Sequence, residues 1–288
     1  MTTSARVRRP RPEAGNGRGA SFDAVADASV AAVRPPLKWA GGKRWQVPHV
    51  KPLWAQHKHR RLVEPFCGGL GVTLSLMPEG ALLNDVNPHI INFYRWLQRG
   101  LPITVRFENK ASAYYAMRVR FNELLAGGHS ESAEAACLFY YLNRTGYNGL
   151  CRFNQRGGFN VPFGRYKRID YRESFGDYVE PFSRFEFTNL DFEDIPLDPE
   201  DFVYADPPYD VEFRQYSKAG FPWKEQERAA RWLAKHPGPV VLSNQATDRI
   251  VELYRDLGYT TWTLTAPRLI SCTGDRTPAQ EVLATRNI

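Results

Sequence analysis

Short apolar runs alternate with helix-patterned segments along most of this chain, and that alternation leaves few architectures open. "RRLVEPF" (60–66), "ALLND" (81–85), "FEFTNLDF" (185–192), "DFVYADPP" (201–208), "PVVLSN" (239–244) and "YTTWTLTA" (259–266) are strand-like. Between them, "PHIINFYRWLQ" (88–98), "KEQERAARWLAKH" (224–236) and "TDRIVELYRDLG" (247–258) carry apolar residues at helical spacing. Repeated β-α-β units imply a mainly parallel sheet with helices on both faces, an α/β fold. The series is interrupted after residue 100. Residues 108–143 read as helices, and 143–172 as a glycine-broken loop or β-hairpin, so about 80 residues look like an insertion.

The remaining bounds are quickly set. With 43% apolar residues in 288, a sizeable core can form, and no run approaches the ~20 apolar residues of a membrane span. Cys67, Cys137, Cys151 and Cys272 are far apart without a CxxC pair, which argues against a zinc site or disulfide framework and for a reducing cytoplasm. Residues 1–33 are rich in Arg, Ala, Gly and Ser without a core-forming period and read as a disordered basic tail; their aspartates weaken a secretory or transit reading. Net charge is +7, and its distribution is informative: residues 143–172 hold seven Arg or Lys against Asp170 alone. They interleave Tyr147, Phe153, Phe159, Phe163, Tyr166 and Tyr171. Cations suit phosphates and flat rings suit bases, so this stretch favours nucleic acid over a merely solvated face.

In sheets of this kind, ligands bind beyond the carboxyl ends of the strands. Three pieces fall there. "EPFCGGLG" (64–71) offers Gly68, Gly69 and Gly71 for close backbone approach to a ligand. Asp85 ends the next strand, 21 residues after Glu64, where an acid can hold ribose hydroxyls. Together they indicate an adenosine-containing cofactor without saying which; the GxGxxG spacing of dehydrogenases is absent, and such turns are often only structural. The third piece is Asp206-Pro207-Pro208-Tyr209. Two prolines cannot join a ladder and end the strand rigidly. A carboxylate and the Pro207 carbonyl held there could accept both N–H groups of an exocyclic amine on a base, freeing a lone pair otherwise delocalised into the ring. Tyr209 could stack on a base swung out of the duplex.

The ordered set "PPLKWAGGKRW" (35–45), "EPFCGGLG", "NDVN", "NRTGYNGLCRFNQRGGFNVPFGRYK", "LDFED", "DPPY", "VVLSN" and "SCTGDR" resembles the Dam family of DNA adenine methyltransferases, over residues 35–285. The resemblance implies S-adenosylmethionine as methyl donor, no metal, duplex DNA as partner, and a Rossmann-like methyltransferase sheet with an inserted helical plus β-hairpin recognition domain. On this reading residues 34–100 and 185–288 form the catalytic domain and 101–184 the target recognition domain. It implies cofactor contacts at Trp39, Lys43, Phe66, Gly68, Asp85, Asp191, Phe192 and Asp206. It implies methyl transfer at Asp206, Pro207, Pro208 and Tyr209, and DNA contacts at Lys38, Tyr147, Asn148, Leu150 and Arg152, with Arg152 reading a guanine. GATC, or a site containing its GA step, is the expected target. A monomer in the cytoplasm of a bacterial or phage-infected cell, at the nucleoid, is expected, with or without a cognate restriction endonuclease. The tail is not part of the family core, and "DVEFRQYSKAGFPW" (210–223) matches only loosely, with Tyr216 and Phe221 as anchors of a closing loop. "TPAQEVLATRN" (277–287) departs from the family's more basic ending and offers only Arg286 to a DNA backbone. The alternatives are a methyltransferase acting on structured RNA and a catalytically inactive DNA-binding relative.

Overall fold

A computed structural model describes residues 33–210, 221–266 and 279–288. The expected disordered tail, Tyr216 and the "SCTGDR" stretch lie outside the described residues.

Seven strands form one sheet: β1 (Leu62–Glu64), β2 (Ala81–Asn84), β3 (Phe185–Thr188), β4 (Phe202–Ala205), β5 (Val240–Gln245), β6 (Thr260–Ala266) and β7 (Ala279–Arg286), in the order β3-β2-β1-β4-β5-β7-β6. The first five in that order are mutually parallel, and β7 runs antiparallel between β5 and β6. β1, β2, β4 and nearly all of β5 are buried residue by residue, as expected of central parallel strands covered on both faces. Neighbouring side chains alternate between faces. Leu62, Leu83, Tyr204 and Val241 enter one core, whereas Val63, Leu82, Val203 and Leu242 enter another. This is a Rossmann-like α/β fold.

Among the described residues eight helices accompany the sheet: α1 (Val47–Ala55), α2 (Thr73–Leu76), α3 (Pro88–Gln98), α4 (Ala111–Ala126), α5 (Ala133–Thr145), α6 (Gly176–Phe182), α7 (Trp223–Ala234) and α8 (Asp248–Asp256). α3 starts where Asn87 caps the His89 N–H and Pro88 supplies a pre-set φ. It buries Ile90, Phe93, Tyr94 and Leu97 in the first core. α5 begins at the Ser132 cap and is buried from Ala135 to Thr145, packed between α3 and α4. The second core is covered by amphipathic helices: Ala229, Ala230 and Leu233 of α7, and Ile250, Leu253 and Tyr254 of α8.

After α5 the basic stretch folds back on itself through isolated antiparallel bridges, Gly146 with Phe163 and Phe153 with Phe159. Asn154 closes its tip, with its side-chain oxygen accepting from the N–H groups of Arg156 and Gly158. The aromatic residues expected to meet bases mostly serve the core instead. Phe159 is buried, Phe153 and Phe163 pack against the first core, and Tyr171 stacks on Phe107 at 4.2 Å. A hairpin with so few ladder bonds needs such anchors to stay in place. Tyr147 remains 45% exposed, and Arg156, Arg165, Lys167 and Arg168 face solvent. Among the described residues no helix is long and apolar enough to cross a membrane.

Candidate active site

The strand order reverses between β1 and β4. β1 connects onward to β2 on one side and pairs β4 on the other. A crevice opens beyond the carboxyl ends of two such strands. The glycine turn follows β1 and the Asp-Pro-Pro-Tyr turn follows β4, so topology brings together two motifs about 140 residues apart in sequence.

On the β1 side, Trp39 lies against the turn so closely that side chains are excluded. A Cβ on Gly68 would sit 2.7 Å from the indole Nε1, and one on Gly69 would sit 2.6 Å from the Trp39 Cβ. Gly68 also has φ +43°, which disfavours side-chain-bearing residues. Asp85, just past β2, ties this turn to its own strand end: one carboxylate oxygen accepts the Gly68 N–H at 3.1 Å and the other the Asn87 N–H at 2.9 Å. Burial raises the Asp85 pKa, and the two backbone N–H groups hold it back. A half-buried acid held by the Gly68 and Asn87 N–H groups fits the hydroxyls of a ribose. Phe66 meets Phe192 at 5.4 Å and Phe221 at 5.7 Å, forming an aromatic wall at the edge of the second core. Asp191 caps the short turn at 192–194, and both its oxygens accept from Arg228, at 2.8 and 2.7 Å. Those hydrogen bonds lower its pKa. Its side chain thus organises the turn, and Phe192 supplies the apolar surface.

On the β4 side, Asp206 Oδ1 is buried without a hydrogen-bond partner among the described residues. Among the described residues its nearest cation, Lys43 Nζ, is 3.6 Å away. Burial pushes the Asp206 pKa up to about 7, against the pull of Lys43 and with a further push from Glu281. The turn itself is firmly held. Gln226 Nε2 donates to the Pro208 carbonyl at 2.8 Å, and Asn244 donates to Gln226 Oε1 at 2.8 Å. Asp210 accepts from Arg249 Nε at 2.6 Å, from Arg249 Nη2, and from the Thr247 hydroxyl. The Tyr209 hydroxyl donates to Glu281 Oε2 at 2.5 Å and lies 2.9 Å from Ser243 Oγ, while Lys43 Nζ sits 4.1 Å from its ring centroid. Burial raises the Tyr209 pKa, so the phenol stays protonated and donates. Beneath β1, buried Glu64 accepts from the Thr73 N–H at 2.8 Å and from its hydroxyl; its pKa rises to about 8, chiefly through burial.

Sequence reasoning missed Glu281, Gln46, Ser243 and Asn244, all buried polar groups around this turn. Only the "VVLSN" match contained any of them, and it carried no role.

The segment 38–43 joins this crevice to the basic hairpin. Lys38 exchanges backbone hydrogen bonds with the Asn143 side chain, at 2.9 and 2.8 Å. Its ammonium donates to the Arg144 carbonyl and lies 3.7 Å from the Tyr166 ring centroid. Burial and the nearby Arg144 lower its pKa. Asn148 and Gly149 both take positive φ, and a Cβ on Gly149 would come 2.4 Å from the Lys38 Cβ. Leu150 packs on the first core, and Arg152 donates across the hairpin to Asn160 Oδ1 at 2.8 Å and to the Asn160 carbonyl at 3.2 Å. Segment 38–43 thus runs from Lys38, against Gly149 at the start of the hairpin, past Trp39 over the glycine turn to Lys43 beside Asp206.

Residues 39–266 match the family model for D12 class N6 adenine-specific DNA methyltransferase. The chain is 34% identical over 269 residues to a DNA N-6-adenine-methyltransferase of Escherichia phage P1, covering 87% of this chain and 35% of that protein. It is 35% identical over 266 residues to the retron Ec67 DNA adenine methylase of Escherichia coli, covering 86% and 90%. It is 34% identical over 245 residues to the type II methyltransferase M1.LlaDCHI of Lactococcus lactis subsp. cremoris, covering 78% and 85%.

Proposed function

This chain belongs to the D12 class N6 adenine-specific DNA methyltransferase family, and we propose that it transfers a methyl group from S-adenosylmethionine to the 6-amino group of an adenine flipped out of duplex DNA. The observation that carries this reading is Asp206: a partly buried carboxylate on a proline-locked turn, whose Oδ1 is buried without a hydrogen-bond donor among the described residues. Leaving a buried acceptor unsatisfied costs about 1–3 kcal/mol, so a site that keeps one supports the arrival of a donor.

In the proposed reaction the adenine amine donates one N–H to Asp206 and the other to the Pro207 carbonyl. Both bonds draw the nitrogen toward tetrahedral geometry and localise its lone pair. S-adenosylmethionine supplies a methyl group on a positive sulfonium, whose departure as a neutral thioether needs no general acid. As the N–C bond forms, the amine becomes cationic and gives up one proton toward Asp206. Lys43 offsets the negative charge near Asp206, and the Tyr209 ring borders the base. Trp39, Gly68 and Asp85 would hold the donor, Asp85 at the ribose, with Phe66 and Phe192 against the adenine and Asp191 shaping that wall.

Residues 101–184 form the proposed target recognition segment, with 34–100 and 185–288 as the catalytic part. Arg152 reads a guanine of GATC or a related site, Tyr147 presses into the stack, and exposed Arg165, Lys167 and Arg168 meet phosphates. The enzyme acts as a monomer on nucleoid DNA, alone or paired with a restriction endonuclease. Sequencing modified bases in DNA from cells expressing the protein tests this: N6-methyladenine at one short motif supports it, and unmodified adenine throughout refutes it.

A further inference from the structure

Lys43 stands between two carboxylates, buried Glu281 and partly buried Asp206. Its Nζ is 3.6 Å from Asp206 Oδ1 and 3.8 Å from Glu281 Oε2, and it donates to the Gly41 carbonyl at 3.0 Å. It is only 7% exposed, as is Glu281. Two acids competing for one ammonium hold it away from hydrogen-bond contact with either. Glu281 comes from β7, opposite Gln245 of β5 and Leu264 of β6, in the antiparallel part of the sheet. Its Oε2 also accepts from Tyr209 at 2.5 Å and from Gln46 Nε2 at 2.8 Å. Gln46 is fixed in turn by the Tyr204 hydroxyl, 2.9 Å from its Oε1, and by donating to Ser243 Oγ at 2.8 Å.

We propose that Glu281 is a positioning residue for methyl transfer: by sharing Lys43 with Asp206 it keeps Asp206 Oδ1 open to the substrate amine, and by accepting the Tyr209 hydroxyl it fixes the ring bordering the same space. Without its charge, Lys43 has a single anionic partner within reach among the described residues and closes onto Asp206. The ammonium then occupies the acceptor that the amine requires. A buried charge left without a counter-charge is costly, which drives that closure. The inference rests on the proposed role of Asp206 as amine acceptor.

The groups facing Asp206 among the described residues are Lys43 before α1, Glu281 of β7, Tyr209 of its own turn, Tyr204 of β4 and, more remotely, Glu64 of β1 and Tyr254 of α8. Removing the Glu281 charge takes away a push and tightens the Lys43 pull, so both effects lower the Asp206 pKa. Glu281→Gln, which keeps the shape and an acceptor for Tyr209, should slow single-turnover methylation of duplex DNA at least tenfold. The acidic limb of its pH–rate profile should move down by one pH unit or more.

A second readout needs no substrate: the stability gained on adding Asp206→Asn, followed against pH in the two backgrounds, should shift its midpoint down equally in Glu281→Gln. Lys43→Met should move both midpoints upward, and adding Glu281→Gln to Lys43→Met should no longer slow transfer through Lys43. An equal loss of rate at every pH with unmoved midpoints would make Glu281 a structural residue only and overturn the inference. If Glu281→Gln cannot be folded, an unmoved midpoint in Lys43→Met overturns it as well. A wild-type protein that fails to methylate adenine would instead overturn the assignment of function.

Discussion

Replacing Asp206 with asparagine should abolish methylation and yet stabilise the fold, increasingly so as the pH rises. Asp206 titrates at about 7 in the folded chain against an ordinary 3.8. The folded state therefore binds the proton more tightly than the unfolded state. Between those two values stability falls with rising pH, because the unfolded chain releases a proton that the folded chain keeps; above both, the penalty is constant. Each tenfold difference in proton affinity is worth about 1.4 kcal/mol, so the full penalty is on the order of 4 kcal/mol. Roughly 2–3 kcal/mol of it develops between pH 5 and pH 8. Asparagine carries no such penalty. The pull of Lys43 acts only on the charged carboxylate and is already contained in that value of about 7. Urea unfolding of both proteins at pH 5, 6, 7 and 8 gives the difference directly, with contributions from other groups cancelling. A difference that grows with pH while S-adenosylmethionine binding persists is the expected result. A variant that is uniformly less stable, or whose difference is flat with pH, would refute the idea that Asp206 is held in an environment unfavourable to its charge.

Asp85→Ala should weaken S-adenosylmethionine binding by about 1–3 kcal/mol in calorimetry, with DNA affinity in its absence little changed. Part of that loss should reflect the freed Gly68 and Asn87 N–H groups. Gly149→Ala, forced to place a methyl against Lys38 at positive φ, should cost about 1–3 kcal/mol of stability by thermal unfolding and weaken DNA binding. Arg152→Ala should lose roughly 1–3 kcal/mol of discrimination at one guanine position, measured by single-turnover methylation of GATC duplexes and their first-base variants. Lys167→Ala should slow all duplexes about equally and flatten the salt dependence.

The parallel half of the sheet was legible because its strands are apolar runs between helix-patterned segments, and because chemistry clusters at strand ends. β7 was not. "AQEVLATR" is composed largely of good helix formers, and its strand state comes from insertion between β5 and β6, a tertiary effect. Glu281 was hidden with it. The aromatics of 143–172 showed affinity for flat surfaces but not direction, and Phe107, Tyr114 and Phe121 on distant segments are what draw most of them inward. The engagement of Asp191 by Arg228, 37 residues later, was equally out of reach of local pattern. Asp85 and Asp206 could be singled out because position after a strand is something the sequence does record, and both follow their strands directly.

The central claim is most directly tested by incubating unmethylated duplex DNA with the purified protein and methyl-tritiated S-adenosylmethionine, then digesting to nucleosides and separating them. Label should appear in N6-methyldeoxyadenosine, confined to one short motif and absent with Asp206→Ala. Label in a methylated cytosine, or transfer to structured RNA with none to duplex DNA, would contradict it.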